Sequence, residues 1–396
     1  MTIPFISARK YWAFLLIVSG IFSIPACNNT GETKSQVAAT VVNPVTDSLN
    51  SQFGLDKIKL PPGFAINLYA VVPDARSMCV SPNGTVFVGT RENKVYAVTD
   101  KNHDGKADSV YVIASGLNAP NGVAFRDGSL YIGTISVLYR LDNIESRLNN
   151  PPAPVVVFDK YPTDTHHGNK FIGFGPDGKL YAPIGAPCNI CDSPKPYASM
   201  TRINPDGTGF EVFATGIRDC VGFAFSPVTN QLWFTDNGRD EMGDDIPSDE
   251  LNYAPHPGMN FGYPYCHEGD ILDPEYGKGK NCSDYTAPVK KLGAHVASLG
   301  MRFYTGHMFP PSYKNAIFIA EHGSWNRTIP IGYRVVVATM TGNGQLNDAI
   351  PFAQGWLQNV SSVSGRPVDV QVLSDGSLLV SDDYKGALYR ITYKNP

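Results

Sequence analysis

Residues 161–185 read YPTDTHHGNKFIGFGPDGKLYAPIG, and two features stand in that one stretch. FIGF and KLYAPIG are short apolar runs joined by Gly-Pro-Asp-Gly, a β-hairpin in which Gly178 supplies the positive φ of the turn. Such apolar strands are expected inside a sheet stack, so the chain just before the first strand is aimed at a shared centre. His166 and His167 stand there, and a histidine in that place is a candidate base. The plainer alternative is a loop histidine held only by backbone.

The same plan recurs outward in both directions. ASGLNAPNGVAFRDGSLYIG (114–133), ATGIRDCVGFAFSPVTNQLWFTDNG (214–238) and AQGWLQNVSSVSGRPVDVQVLSDGSLLVSDD (353–383) each run Ala-x-Gly, loop, apolar strand, turn, second strand. YAVVPDARSMCVSPNGTVFVGT (69–90) is a looser copy, and MRFYTGHMFPPSYKNAIFIAEHG (301–323) is a copy without the glycine turn. The turns fall near Gly84, Gly128, Gly178, Asn230, Lys314 and Gly376, recurring at about 50 residues except where an insertion over 239–298 stretches the fourth unit. Further strands read as KVYAVTD, VLYRLDN, MTRINPDG, YRVVVATM and ALYRITY. Small sheets repeated at this period predict an all-β, six-bladed β-propeller with four-stranded antiparallel blades. A pair of β-sandwiches does not account for the repeat. AINLYAVV (65–72) is expected to close the ring as the outermost strand beside ALYRITY (387–393), because an unpaired sheet edge is otherwise left.

Composition agrees. The 38 Gly, 31 Pro and 17% charged residues suit short strands and many turns. A net charge of −4 gives no basic face for nucleic acid. Arg9 and Lys10 precede the apolar run YWAFLLIVSGIFSIPA, which ends at Ala26-Cys27. That pattern predicts a lipoprotein signal peptide over 1–26, lipidation of Cys27, and export to the periplasmic or outer face of a bacterial membrane. Residues 27–58 are polar and read as a flexible tether, leaving 59–396 as the propeller domain. The remaining six cysteines permit disulfides in an exported chain, with Cys188–Cys191 and Cys266–Cys282 favoured by proximity in sequence.

Four groups of residues carry possible chemistry. Asp100, Asn102, Asp104 and Asp108 place oxygens at alternate positions around Gly105, the first half of a calcium loop. Arg218 and Asp219 enter the fourth blade where His167 enters the third. Arg366 holds that place in the sixth, and Arg327 follows the fifth hairpin. Their equivalent positions predict one histidine and three arginines converging at a channel mouth, suited to a polyanionic ligand. Finally, Asp236 to Glu250 is so rich in carboxylates that arginines or a second calcium would be needed to offset their repulsion.

The motifs HHGNKF-x3-GPDGKLY, G-x-R-[DN]-x-x-G-F, WFTDNGRD, NFGYPYC and GRPVDV, in that order over about Leu60 to Tyr393, resemble the glucose/sorbosone dehydrogenase family, nearest its L-sorbosone dehydrogenase-like branch. The resemblance implies a six-bladed quinoprotein that binds pyrroloquinoline quinone (PQQ) and calcium and oxidises a sugar or related alcohol or aldehyde by hydride transfer to the quinone. By position it implies His167 as catalytic base and Arg218 as the arginine beside the quinone. His166, Asp219, Asn237, Arg327 and Arg366 fall among cofactor-binding positions, and Gly238 and Arg239 match carbonyls that hold the cofactor's calcium. The electrons would pass to an external acceptor, a cytochrome or a quinone. Two positions depart from the pattern. Ala186 stands where the soluble glucose enzymes have an acid, which leaves Asp164 or Asp192 to orient the base, and Val368 replaces a second clamp arginine. A calcium-dependent lactonase-type hydrolase and a non-catalytic carbohydrate-binding propeller are the rival classes.

Overall fold

The computed structural model describes residues 49–341 and 345–395, all within the compact unit Val37–Pro396. Six four-stranded antiparallel sheets follow one another in chain order. Blade 1 is Met78–Val80, Val86–Val88, Lys94–Thr99 and Ser109–Ser115, and blade 2 is Gly122–Arg126, Ser129–Gly133, Leu138–Leu141 and Val155–Phe158. Blade 3 is Gly173–Phe174, Leu180–Ile184, Ser199–Ile203 and Glu211–Thr215, and blade 4 is Gly222–Phe225, Leu232–Asp236, Ser248–Ala254 and Lys290–Ala294. Blade 5 is Ser298–Phe303, Ile317–Glu321, Arg334–Ala338 and Ile350–Gln354. Blade 6 takes Pro367–Val372, Leu378–Asp382 and Ala387–Tyr393 from the end of the chain and Phe64–Val71 from its start. The protein is an all-β six-bladed propeller.

The ring closes through Phe64–Val71, which pairs antiparallel with Ala387–Tyr393 from Phe64 opposite Tyr393 to Val71 opposite Ala387. Leu68 in this strand is fully buried with Phe318, Val370, Val380 and Tyr389. Residues 49–58, expected to be part of the tether, pack against the propeller. Leu49–Gln52 is a helical turn, and Leu49, Phe53, Leu55 and Ile58 pack on the closing blade because all four are apolar. Asn50 adds polar fixings, accepting from the Leu68 amide at 2.9 Å and donating to Asn67 Oδ1 at 2.9 Å. Residues 1–48, with Cys27, lie outside the described residues.

The cores lie between neighbouring blades, where β-branched and aromatic side chains of facing sheets interdigitate. Near the axis the backbones themselves touch. A Cβ on Gly122 would come within 2.5 Å of the Lys170 carbonyl, so blade 3 can enter against blade 2 only at a glycine. The expected FIGF strand is observed only over Gly173–Phe174. The preceding Lys170 carbonyl is taken by Asn121 Nδ2 at 2.8 Å instead of by a sheet partner. Because strands alternate in direction, the loop before each inner strand and the loop after each second strand open on one face.

Candidate active site

On that face, loops from blades 1, 3, 4 and 5 surround a cavity of about 330 Å³. His167 sits on its wall in a left-handed conformation, φ 48°. Gly185, at the end of the second strand of blade 3, makes room for it. A Cβ there would lie 2.4 Å from the His167 Cβ and 2.6 Å from its carbonyl oxygen. The next residue orients the ring: His167 Nδ1 lies 2.9 Å from the Ala186 carbonyl oxygen. A carbonyl can only accept, so Nδ1 carries the proton and Nε2 keeps its lone pair. Burial lowers the His167 pKa from 6.5, opposed by the Asp219 carboxylate and reinforced by Arg218 and His166. The exposed His166 ring lies 4.0 Å from it, centroid to centroid. Neither carboxylate expected to orient the base does so: Asp164 accepts from Tyr197 and Asp192 from Tyr265.

Arg218 is 4% exposed and held on several sides. Its Nε donates to the Asn189 carbonyl at 2.9 Å, and its Nη2 to Asn189 Oδ1 at 2.8 Å and Asp240 Oδ2 at 3.2 Å. Its Nη1 donates to the Asn237 carbonyl at 3.3 Å. The loop carrying it is fixed by Asp236, whose carboxylate accepts from the amides of Arg218 (2.9 Å) and Asp219 (2.7 Å). Burial, with the Glu250 carboxylate nearby, raises the Asp236 pKa well above its ordinary value, and burial pushes Asp249, on the cavity wall, up to about 6. Asp219 itself accepts from Asn237 Nδ2 at 3.2 Å.

The expected convergence of His167 with three arginines forms differently. Arg218 is there. Arg327 is spent on Asp244, Asp245 and Ala294, and Arg366 on the carbonyls of His322 and Gly323 (3.3 and 3.0 Å), with its guanidinium over Tyr333; neither lines the cavity. Arg366 holds the equivalent place and Arg327 follows its hairpin, but each side chain is taken up by acceptors of the preceding blade. Arg76 and Arg91, before and within blade 1, line the wall instead. Both bind Asp383, at 2.7 and 3.0 Å, which also accepts from His322 Nε2 at 2.9 Å. Arg76 holds in blade 1 the place that His167 holds in blade 3, so the repeat register itself could have found it. His295 holds the corresponding place before the inner strand of blade 5 and was open to the same reading, whereas His322 and the rim residue Trp325 carried no such signal. Gly238 lines the cavity, whereas the Arg239 side chain turns away to Asp273 at 2.7 Å.

Among the described residues, no group of three His, Cys, Asp or Glu side chains is placed to hold a metal ion. The Asp100–Asp108 loop joins the outer strands of blade 1 and so opens on the face opposite the cavity. Its oxygens mostly accept from the loop's own backbone: Asp108 from Lys101 (2.6 Å), Asn102 from Asp104 (3.0 Å), Asp104 from Lys106 (2.9 Å). Asp100 Oδ1 is buried without a partner among the described residues. Cys188 is bonded to Cys191 beside the cavity, and Cys266 to Cys282 within the blade 4 insertion.

The family profile described as Glucose / Sorbosone dehydrogenase matches residues 135–390. An uncharacterized protein of Borreliella burgdorferi is 32% identical over 351 residues, covering 85% of this chain and 91% of that protein. An aldose sugar dehydrogenase of Escherichia coli is 26% identical over 198 residues, about half of each chain (49% and 47%). Among solved structures, the holo form of the PQQ domain of a Coprinopsis cinerea pyranose dehydrogenase superposes with a TM-score of 0.70 at 18% identity, over 85% of this chain and 97% of that one, which establishes the shared fold. The chain belongs to the glucose/sorbosone dehydrogenase family.

Proposed function

We propose that this protein oxidises a sugar, or a related alcohol or aldehyde, with PQQ and calcium as cofactors. The observation that carries the reading is the single tautomer imposed on His167 by the Ala186 carbonyl, which leaves Nε2 as a base on a cavity wall. The lining also suits an anionic ligand accompanied by a cation. Arg76, Arg91 and Arg218 supply positive charge. Asn237 Oδ1 and Asn326 Oδ1 are buried acceptors without partners among the described residues, and both residues line the cavity.

In this reading PQQ, when bound, supplies the hydride acceptor that no side chain of the protein can provide. Arg218 and the blade 1 arginines would hold its carboxylates, and Gly238 with the orphan amide oxygens would face the calcium. His167 Nε2 takes the substrate's hydroxyl proton, which raises electron density at the carbon being oxidised. Arg218, fixed before reaction, faces developing negative charge without having to reorganise. Loops from four blades place these groups around one substrate.

Purified protein given PQQ and calcium, with a dye acceptor and a sugar panel, tests the reading. His167→Ala should lower turnover by roughly 10²–10⁴ while PQQ binding stays within a few-fold of wild type. Lactone hydrolysis without dye reduction would favour the hydrolase class, and sugar binding without turnover the binding class. From the sequence alone we further propose export and anchoring through Cys27, with a cytochrome or quinone as natural acceptor. Cys27→Ser should move the protein from the membrane fraction to the soluble fraction; an already soluble wild type rejects the anchor.

A further inference from the structure

The Cys188–Cys191 disulfide encloses only Asn189 and Ile190, and Asn189 accepts two of the four hydrogen bonds that fix the Arg218 side chain. Its carbonyl accepts from Arg218 Nε at 2.9 Å, and its Oδ1 accepts from Arg218 Nη2 at 2.8 Å and from the Asp240 amide at 2.9 Å. Its Nδ2 donates to the Asp240 carbonyl at 3.3 Å. The loop is braced from blade 4 by Tyr263, whose hydroxyl accepts from the Cys191 amide at 3.0 Å and lies 3.4 Å from the Asn189 carbonyl. Ile190 packs with Ala186, Ala198 and Tyr263. The same segment reaches the base, since the Ala186 amide donates to the Arg218 carbonyl at 2.8 Å while the Ala186 carbonyl holds His167.

This arrangement has a chemical consequence. A buried guanidinium needs fixed acceptors, but carboxylates at every donor would cancel the charge that a ligand is to feel. Asn189 offers two neutral oxygens. The one carboxylate on Arg218, Asp240, is shared with Asn326 Nδ2 at 2.6 Å. Arg218 is therefore held largely without being neutralised. Holding it this way requires the main-chain and side-chain oxygens of one residue to point together, which the disulfide enforces by restricting the loop.

We propose that Asn189, presented by the Cys188–Cys191 disulfide, is the positioning residue of Arg218, and that opening the disulfide releases Arg218 from the cavity wall. The inference rests on Arg218 being part of the site, and its first test needs no cofactor. Arg218 is one of the charges acting on His167, together with Asp219 and His166. Histidine-selective carbon-13 NMR of the full apo-protein therefore reads the position of Arg218 through the His167 pKa. Arg218→Ala should raise that pKa, Asn189→Ala should raise it likewise, and the double variant should show no further change.

Dithiothreitol, oxidised to its cyclic disulfide as the two protein thiols form, should shift wild type but not Asn189→Ala. Cys188→Ser/Cys191→Ser should reproduce the wild-type shift, which separates this bond from Cys266–Cys282; should that variant not fold, Asn189→Ala decides alone. In PQQ titrations followed by protein fluorescence, Asn189→Ala should raise Kd about tenfold or more, the worth of a hydrogen bond to a charged group. An unmoved His167 pKa in Asn189→Ala overturns the proposal, as does additivity of the two substitutions. If wild type binds no PQQ, the cofactor reading falls and the His167 titration still decides the role of Asn189.

Discussion

The candidate base is set in place by three residues acting through backbone. His167 takes φ 48°, Gly185 vacates the space beside it, and Ala186 lends a carbonyl oxygen. Two outcomes follow at this scale. With its pKa lowered by burial, His167 is neutral and competent at pH 7, so kcat/KM should fall only on the acid side, through a pKa below 6.5. A pH–rate profile with its acid limb at or above 6.5 would count against His167. Gly185→Ala should act like a loss of the base, because a methyl 2.4 Å from the His167 Cβ must push the ring aside. Turnover should drop by about 10² or more, one misplaced ångström being worth that much, and the melting temperature should fall as well, since the methyl would also lie 2.6 Å from the His167 carbonyl oxygen. The histidine was legible in the sequence, since its place before an inner strand is a matter of repeat register. Its orienting partner was not, because every residue carries a main-chain carbonyl and only the folded path shows which one is used.

Among the elements, the outer loop of blade 1 holds the other expectation that the sequence raised. Alternate oxygens at Asp100, Asn102, Asp104 and Asp108 suit calcium, and Asp100 Oδ1 is buried with no partner among the described residues. If calcium binds there, a chelator should lower the melting temperature, and Asp104→Ala should remove part of that response; at 100 times Kd the ion would contribute about 2.7 kcal/mol. Equal melting curves with chelator and with excess calcium would show that the loop closes on its own hydrogen bonds, as Asp108 and Asp104 already do with Lys101 and Lys106. The arginines show the same gap between position and reach. Arg327 and Arg366 stand in the loops expected of them, yet their side chains are drawn to acceptors of the preceding blade, Asp244 for Arg327 and His322 and Gly323 for Arg366. A long side chain with several rotatable bonds is placed by its acceptors rather than by its Cα.

At the scale of the whole molecule, one strand from the start of the chain makes the ring a ring. Leu68→Ala in that strand should cost about 2–5 kcal/mol in a denaturant titration, since the buried side chain bridges blades 5 and 6. A cost under about 1 kcal/mol would mean that closure does not rest on this strand's packing. The closing pair, the six blades and the place of the His167 loop were all fixed by local information: apolar runs of strand length, turn residues, and a period repeated along the chain. Tertiary structure alone decided which side chains fill the cavity. It brought Arg76 and Arg91 from one blade to face Arg218 from another and set Asn189 on Arg218. It also gave His167 a carbonyl where a carboxylate had been expected. The reason is physical. A repeat sets where each loop begins, but a charged side chain goes to whichever acceptors the neighbouring blades leave unpaired, and those come into range only when the ring has closed.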